Sequence, residues 1–126
     1  MAWISYKELI AWQKAMDVTA EIYRLVKKLP KEELFILSEQ MRKASVSIPS
    51  NIAEGHSRNS KKEFIRFLSI AQGSKAELET QLQLSVKVGL LEESDIDKVM
   101  GLLAETGKLI TSLIITNSSP YEKSKF

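Results

Sequence analysis

The chain has 126 residues, of which 44% are hydrophobic and 27% are charged, and its formal net charge is +2. This length suits one compact domain, and the apolar fraction excludes a disordered chain. With no cysteine and one histidine, the chain has no disulfide, no thiolate chemistry and no intrachain site that needs two imidazoles. No apolar run approaches the ~20 residues of a membrane span, and the first residues do not resemble a signal peptide. We therefore expect a soluble, cytoplasmic protein with no membrane partner.

Apolar residues recur in four segments at alternating steps of three and four residues, a spacing that places them on one face of a helix. The four stripes are Leu9, Trp12, Met16, Thr19, Tyr23 and Val26; Leu34, Leu37, Met41, Ala44 and Ile48; Phe64, Phe67, Ala71, Ser74 and Leu78; and Ile96, Val99, Leu103, Thr106, Ile110 and Leu113. Each stripe is expected to face the core, so aromatic residues such as Tyr23 and Phe67 are interpreted as core residues rather than as platforms for nucleic-acid bases.

The ends of the helices are predicted from capping signals. A serine three residues before a carboxylate predicts helix starts at Ser5–Glu8, Ser60–Glu63 and Ser94–Asp97. Gly55 and Gly89 predict helix ends. The predicted helices cover about residues 6–28, 31–54, 61–88 and 95–117.

Short connections between four long helices predict an all-α, antiparallel up-down-up-down four-helix bundle over residues 1–117. Residues 118–126 are expected to form a flexible C-terminal tail. Pro49 interrupts the second helix, because it removes a backbone hydrogen bond and clashes with the preceding turn. A kinked helix and two shorter helices are both compatible with this proline. The apolar spacing resumes at Ile52, which favours a kink near Pro49.

Basic side chains concentrate at the end of the second helix and the start of the third. Residues 41–66 carry a net charge of +4, whereas residues 67–93 carry −2. Such a cluster suits contacts with nucleic-acid phosphates, and the alternative is a solvated turn with ordinary surface lysines. The candidate nucleic-acid-binding residues are Arg42, Lys43, Arg58, Lys61, Lys62 and Arg66.

Polar side chains also surround the proline of the second helix. Ser47, Asn51 and Glu54 follow each other at steps of four and three residues, so they share a helix face. We interpret Ser47, Pro49, Asn51, Glu54 and Gly55 as a structural motif, in which polar groups satisfy the backbone atoms that the proline frees and tie helix ends together.

No set of residues predicts catalysis. His56 follows the predicted end of the second helix, is expected in an exposed loop, and has no identifiable partner that would make it a general base. The Glu-x-x-His pairs of a di-iron bundle are absent from the sequence. We therefore expect a non-enzymatic protein with no metal and no cofactor.

The sequence resembles a bacterial family of four-helix bundles, the 23S rRNA intervening-sequence proteins. The resemblance rests on YKEL at 6–9, WQKAM at 12–16, QMRKA at 40–44, SIPSNIAEG at 47–55, SKKEFIRFL at 60–68, AQGS at 71–74 and ELETQL at 77–82. The family is also similar to the accessory protein of diversity-generating retroelements, a five-membered ring that binds nucleic acid and a reverse transcriptase. The resemblance therefore implies a cytoplasmic homo-oligomer, a pentamer, with RNA or DNA as its partner and no established catalytic activity.

Several apolar residues lie outside the four stripes and favour self-association, because adjacent ones would form a patch typical of a partner surface. They are Ile10, Ile36, Val46, Ile65, Ile70 and Ile114. The leading hypothesis is an oligomeric bundle that binds RNA or DNA electrostatically and scaffolds a nucleoprotein complex. The alternative is a protein-interaction adaptor with no nucleic-acid role.

Overall fold

A computed structural model of the chain describes residues 4–118. Within this range, helices α1 (Ile10–Leu25), α2 (Leu37–Ser57), α3 (Lys61–Lys87) and α4 (Glu93–Asn117) are present and no strand forms. Short 3-10 turns lie at Tyr6–Glu8, Val26–Lys28 and Lys31–Glu33. The predicted all-α four-helix fold is confirmed. Of the predicted tail, all but its first residue lies outside the described residues, so its flexibility stays a prediction.

Each helix packs against two others: α1 and α3 both contact α2 and α4. Ion pairs between α1 and α4 show the relative direction of these two helices. Lys14 pairs with Glu105, and Lys28, just after α1, pairs with Asp95. Because residue numbers rise along α1 as they fall along α4, the two helices run in opposite directions.

The core confirms most of the second, third and fourth stripes but only part of the first, of which Val26 is buried and Leu9 and Trp12 pack against the core. On α1 the buried residues are Ala11, Ala15, Val18, Ile22 and Leu25, whereas Met16 and Tyr23 of the predicted stripe are about half exposed. Both sets have the same helical spacing, so the pattern alone cannot separate them. The sequence analysis chose the set with the larger side chains, and this set is mostly not buried. In the buried set, Ala11 and Ala15 are small enough for α1 to lie close to its neighbouring helices.

The predicted helix starts are correct to different degrees. The box at Ser5–Glu8 is confirmed, since the Ser5 amide donates to Glu8 Oε2 at 3.2 Å, although it caps a 3-10 turn. At the start of α3, Ser60 Oγ accepts from the Glu63 amide at 3.2 Å, while the Glu63 carboxylate binds Arg66 instead of closing the box. The start predicted at Ser94 is wrong, because α4 already begins at Glu93.

One of the two predicted glycine helix ends is correct. Gly89 has φ +82° and lies just past the end of α3, as expected of a residue that leaves a helix in the left-handed region. The end predicted at Gly55 is wrong, because α2 continues to Ser57 and the left-handed residue there is Asn59, with φ +53°.

Helix α2 passes through Pro49 as one element, so the alternative of two shorter helices is wrong. Proline lacks the N–H that would have bonded to the carbonyl four residues earlier, which is that of Ser45. The Ser45 carbonyl instead accepts a hydrogen bond from Thr19 Oγ1 of α1 at 2.8 Å. The expected kink near Pro49 stays a prediction.

Among residues 4–118, α4 is the one helix whose length and composition would allow it to cross a membrane, with a mean hydropathy of 1.4. Its buried residues include Ile96, Val99, Leu103 and Ile110, which pack in the bundle core. An apolar face of this kind is also what a core helix of a soluble protein needs.

Candidate nucleic-acid interface

The connection between α2 and α3 brings four of the six predicted cations together. The left-handed Asn59 and the cap Ser60 join the two helices through a tight turn. Arg58 is the C-cap residue that follows α2, Lys61 and Lys62 begin α3, and Arg66 follows one turn later. We call Arg58, Lys61, Lys62 and Arg66 the basic turn; all four side chains are exposed.

The two arginines of the basic turn flank one aromatic ring. The guanidinium carbons of Arg58 and Arg66 lie 5.1 and 4.5 Å from the centre of the Phe67 ring, within the range of cation–π attraction. Arg58 also pairs with Glu54 at 3.0 Å, and Arg66 makes two hydrogen bonds to Glu63. The planes of both arginines are therefore oriented by local contacts.

The ion pair between Glu63 and Arg66 shifts the pKa values of both side chains. Hydrogen bonds from Arg66 lower the pKa of Glu63, and the same bonds raise the pKa of Arg66. The carboxylate stays ionised and offsets one positive charge of the basic turn. The arginines thus contribute less net charge than the sequence count suggests.

The two lysines of the basic turn have no carboxylate within salt-bridge distance among the described residues. Lys61 and Lys62 occupy the first turn of α3, where the helix dipole already favours negative charge. Cations at this end repel the dipole. An anion placed beside them would relieve that repulsion, so the lysines are better suited than the paired arginines to contact an anion.

Arg42 and Lys43 do not belong to this cluster. They lie on α2 sixteen and fifteen residues before Arg58, a separation of about 24 Å along the helix axis. Lys43 pairs with Glu39 on its own helix at 3.3 Å. The six cations that the sequence suggested as one interface are therefore divided between two parts of the surface.

The predicted structural motif is only partly one unit. Asn51 Nδ2 donates to the carbonyl and the hydroxyl of Ser47, and Ser47 Oγ lies 2.7 Å from Ser74 Oγ of α3. Glu54 accepts a hydrogen bond from Arg58 instead of joining this group. None of these side chains donates to the carbonyl that Pro49 frees, so that part of the interpretation is wrong. The motif does link two helices, because Ser47 of α2 is hydrogen-bonded to Ser74 of α3.

His56 is buried rather than exposed in a loop, which corrects the sequence interpretation. It lies within α2, is 5% exposed, and meets the edge of the Phe64 ring at 5.4 Å between centroids. Burial lowers the pKa of His56, so the ring is neutral at physiological pH. The histidine therefore adds no charge to the neighbouring basic turn.

Within residues 4–118, no group of three or more histidine, aspartate or glutamate side chains could hold a metal ion. The interface described above offers cations and aromatic faces, which suits binding of anions rather than acid–base or metal chemistry.

The sequence interpretation missed a second basic surface, at the corner between α1 and α2. Lys27 and Lys31 line a recess there together with Arg42. The signal was the density of lysines just before and after Pro30.

Comparisons with known proteins agree with the fold. The sequence model of the family described as 23S rRNA-intervening sequence protein matches residues 7–112. A crystal structure of a protein with unknown function from the S23 ribosomal protein family of Bacteroides thetaiotaomicron VPI-5482 is 27% identical. The match covers 82% of this chain and 97% of that one, with a TM-score of 0.76. No curated protein sequence matches significantly.

Proposed function

For this chain, which belongs to the 23S rRNA-intervening sequence protein family, we propose a non-enzymatic role as a cytoplasmic, homo-oligomeric nucleic-acid-binding bundle. The basic turn contacts phosphates of RNA or DNA, and the oligomer, a pentamer, scaffolds a nucleoprotein complex. The observation that carries the proposal is the unpaired state of Lys61 and Lys62 at the start of α3.

The chemistry of the turn supports binding without sequence preference. Ammonium groups act as point charges toward phosphate and release condensed counterions when they bind. Arg58 and Arg66, held against Phe67, add donors in fixed positions beside the lysines. None of these groups is arranged to read base edges, so affinity is expected to depend on salt rather than on sequence.

Self-association strengthens this role because only two of the four cations in each basic turn are unpaired. A ring repeats Lys61 and Lys62 in every subunit and so concentrates positive potential. A groove of about 190 Å³ between α1 and α4, lined by Leu9, Ile10 and Leu113 among others, offers an apolar surface for subunit contact. Ile10 is 53% exposed in the single chain.

A protein-interaction adaptor is the second candidate function. The same apolar groove favours it, since a surface that fits a second copy also fits a different protein. Under this alternative the subunit would retain its apolar contacts and bind no nucleic acid at physiological salt.

The deciding experiment compares the variant K61Q/K62Q with K87Q/K108Q, which removes the same charge from exposed positions outside the basic turn. Binding of labelled duplex RNA and DNA is followed by fluorescence anisotropy between about 50 and 200 mM salt. We expect K61Q/K62Q to weaken binding about tenfold at low salt. The slope of log affinity against log salt concentration should become shallower by about 1.8, since each lost phosphate contact contributes ~0.9 to that slope.

The control K87Q/K108Q should retain wild-type binding, and both variants should keep the wild-type melting temperature. Equal binding by wild type and K61Q/K62Q would contradict the assignment of the turn. Absence of binding by the wild-type protein at both salt concentrations would favour the adaptor.

A further inference from the structure

The corner between α1 and α2 contains a recess of about 220 Å³ that combines apolar walls with three cations. Its apolar wall includes Leu29, Pro30 and Leu34, and its cations are Lys27, Lys31 and Arg42. A volume of this size exceeds the ~30 Å³ of one water molecule several-fold. The recess therefore has room for a group as large as a phosphate.

The cations of the recess are not neutralised by the protein. Lys28 and Lys43, which lie nearby in sequence, pair with Asp95 and Glu39. In contrast, Lys27, Lys31 and Arg42 have no carboxylate within salt-bridge distance among residues 4–118. Three unpaired cations around one concavity make an anion the complementary ligand.

A serine also lies at the wall of the recess. Ser38, in the first turn of α2, lines the recess and is 3% exposed. A hydroxyl at this position adds a neutral hydrogen-bond donor beside the three cations.

A second groove adjoins the recess and contains exposed aromatic rings. This groove, of about 530 Å³, is lined by Tyr23, Phe35 and Val46, and Arg42 lines both cavities. Phe35 is 81% exposed and Tyr23 is 48% exposed. An aromatic ring this exposed beside unpaired cations is the arrangement on which single-stranded nucleic acids stack their bases.

We propose that a single-stranded nucleic acid crosses this face, with a phosphate in the recess between Lys27, Lys31 and Arg42 and a base stacked on Phe35. A duplex fits less well, because its bases are already stacked and cannot cover the exposed rings. The site is independent of the basic turn, which lies at the far end of α2, so either assignment can fail without the other.

The test uses a fluorescein-labelled oligothymidine of about 12 nucleotides, whose binding is measured by anisotropy at several salt concentrations. We expect F35A to weaken binding about tenfold and F35W to restore it, because a larger ring keeps the stacking surface. The variant K27Q/K31Q should weaken binding and reduce the salt slope by about 1.4, since a single strand loses ~0.7 for each phosphate contact.

The matched control is K7Q/K108Q, which removes the same charge from exposed positions that do not line the recess. It should leave the salt slope unchanged, and K61Q/K62Q should not alter the difference between F35A and F35W. Unchanged oligothymidine binding in F35A and K27Q/K31Q would overturn the proposal. Tighter binding of a labelled acidic peptide, lost in the same two variants, would overturn it in favour of a protein partner.

Discussion

At the scale of single residues, the clearest dependence is between Pro49 and Thr19. The proline leaves the Ser45 carbonyl without its helical partner, and the Thr19 hydroxyl supplies a replacement from another helix at 2.8 Å. Ser45 is fully buried, so water is a poor substitute for this donor. The proline is thus tolerated inside α2 because α1 provides the missing hydrogen bond.

We predict that Thr19→Val lowers the free energy of unfolding by about 1–2 kcal/mol, since it leaves a buried carbonyl unsatisfied. Pro49→Ala restores the missing N–H, so Thr19→Val should cost much less in that background. Urea denaturation of the two single variants and the double variant measures this coupling. Thr80→Val is the control, because Thr80 Oγ1 binds only a carbonyl of its own helix. An equal cost of Thr19→Val in both backgrounds would contradict the dependence.

The sequence was sufficient to show that Pro49 frees a carbonyl, because the geometry of proline alone requires it. It did not identify Thr19 as the donor, since the two residues are far apart in the chain and many hydroxyls were available. The sequence analysis proposed the nearby Ser47 and Asn51 as partners of the freed backbone atoms, but their hydrogen bonds go to each other and to Ser74. Long-range partners of this kind depend on how the helices are rotated.

At the scale of helices, α2 and α3 approach each other closely beside Gly55. A Cβ added there would lie 2.5 Å from Phe67 Cβ, an atom fixed to the backbone of α3. The glycine therefore allows the helices to approach, and this approach places Phe67 between Arg58 and Arg66. Gly55, which the sequence analysis predicted as a helix end, instead helps to position the basic turn.

We predict that Gly55→Ala destabilises the protein by about 1–3 kcal/mol, because the added methyl must push α2 and α3 apart. Gly101→Ala is the matched control, since a Cβ at that helical position meets no atom within 4 Å. It should stabilise the protein by up to ~1 kcal/mol through helix propensity. Thermal denaturation of the two variants gives the comparison, and equal shifts in melting temperature would contradict the close approach.

Helical periodicity predicted four helices because a repeat of alternating three and four residues is strong over long segments. It failed for the buried face of α1, where Ala15 and Met16 belong to competing stripes of the same spacing. The error affected the functional interpretation, because Tyr23 was assigned to the core although the residue is partly exposed. Which of two adjacent stripes is buried depends on where the neighbouring helices lie, and the apolar pattern of one helix holds no information about their positions.

At the scale of the whole molecule, unpaired cations lie at both ends of α2. The basic turn carries Lys61 and Lys62 at one end, and the recess carries Lys27 and Lys31 at the other. The long axis of the bundle thus separates two cationic surfaces whose chemistry differs, one of point charges and one with aromatic rings. A nucleic acid that reaches both could be held by two weak contacts at once.

Self-association would multiply these surfaces, and it predicts that stability depends on protein concentration. A pentamer without a stable folded monomer should gain about 1 kcal/mol per protomer for each tenfold rise in concentration, because assembly couples to folding. Urea midpoints over a range of concentrations, with light scattering on the native protein, measure this gain. Ile10→Asp should abolish it by placing a charge in the α1–α4 groove, whereas Leu84→Asp, at an exposed position outside that groove, should preserve it. A midpoint that is the same at every concentration, with a monomer by light scattering, would show that each subunit folds and acts alone.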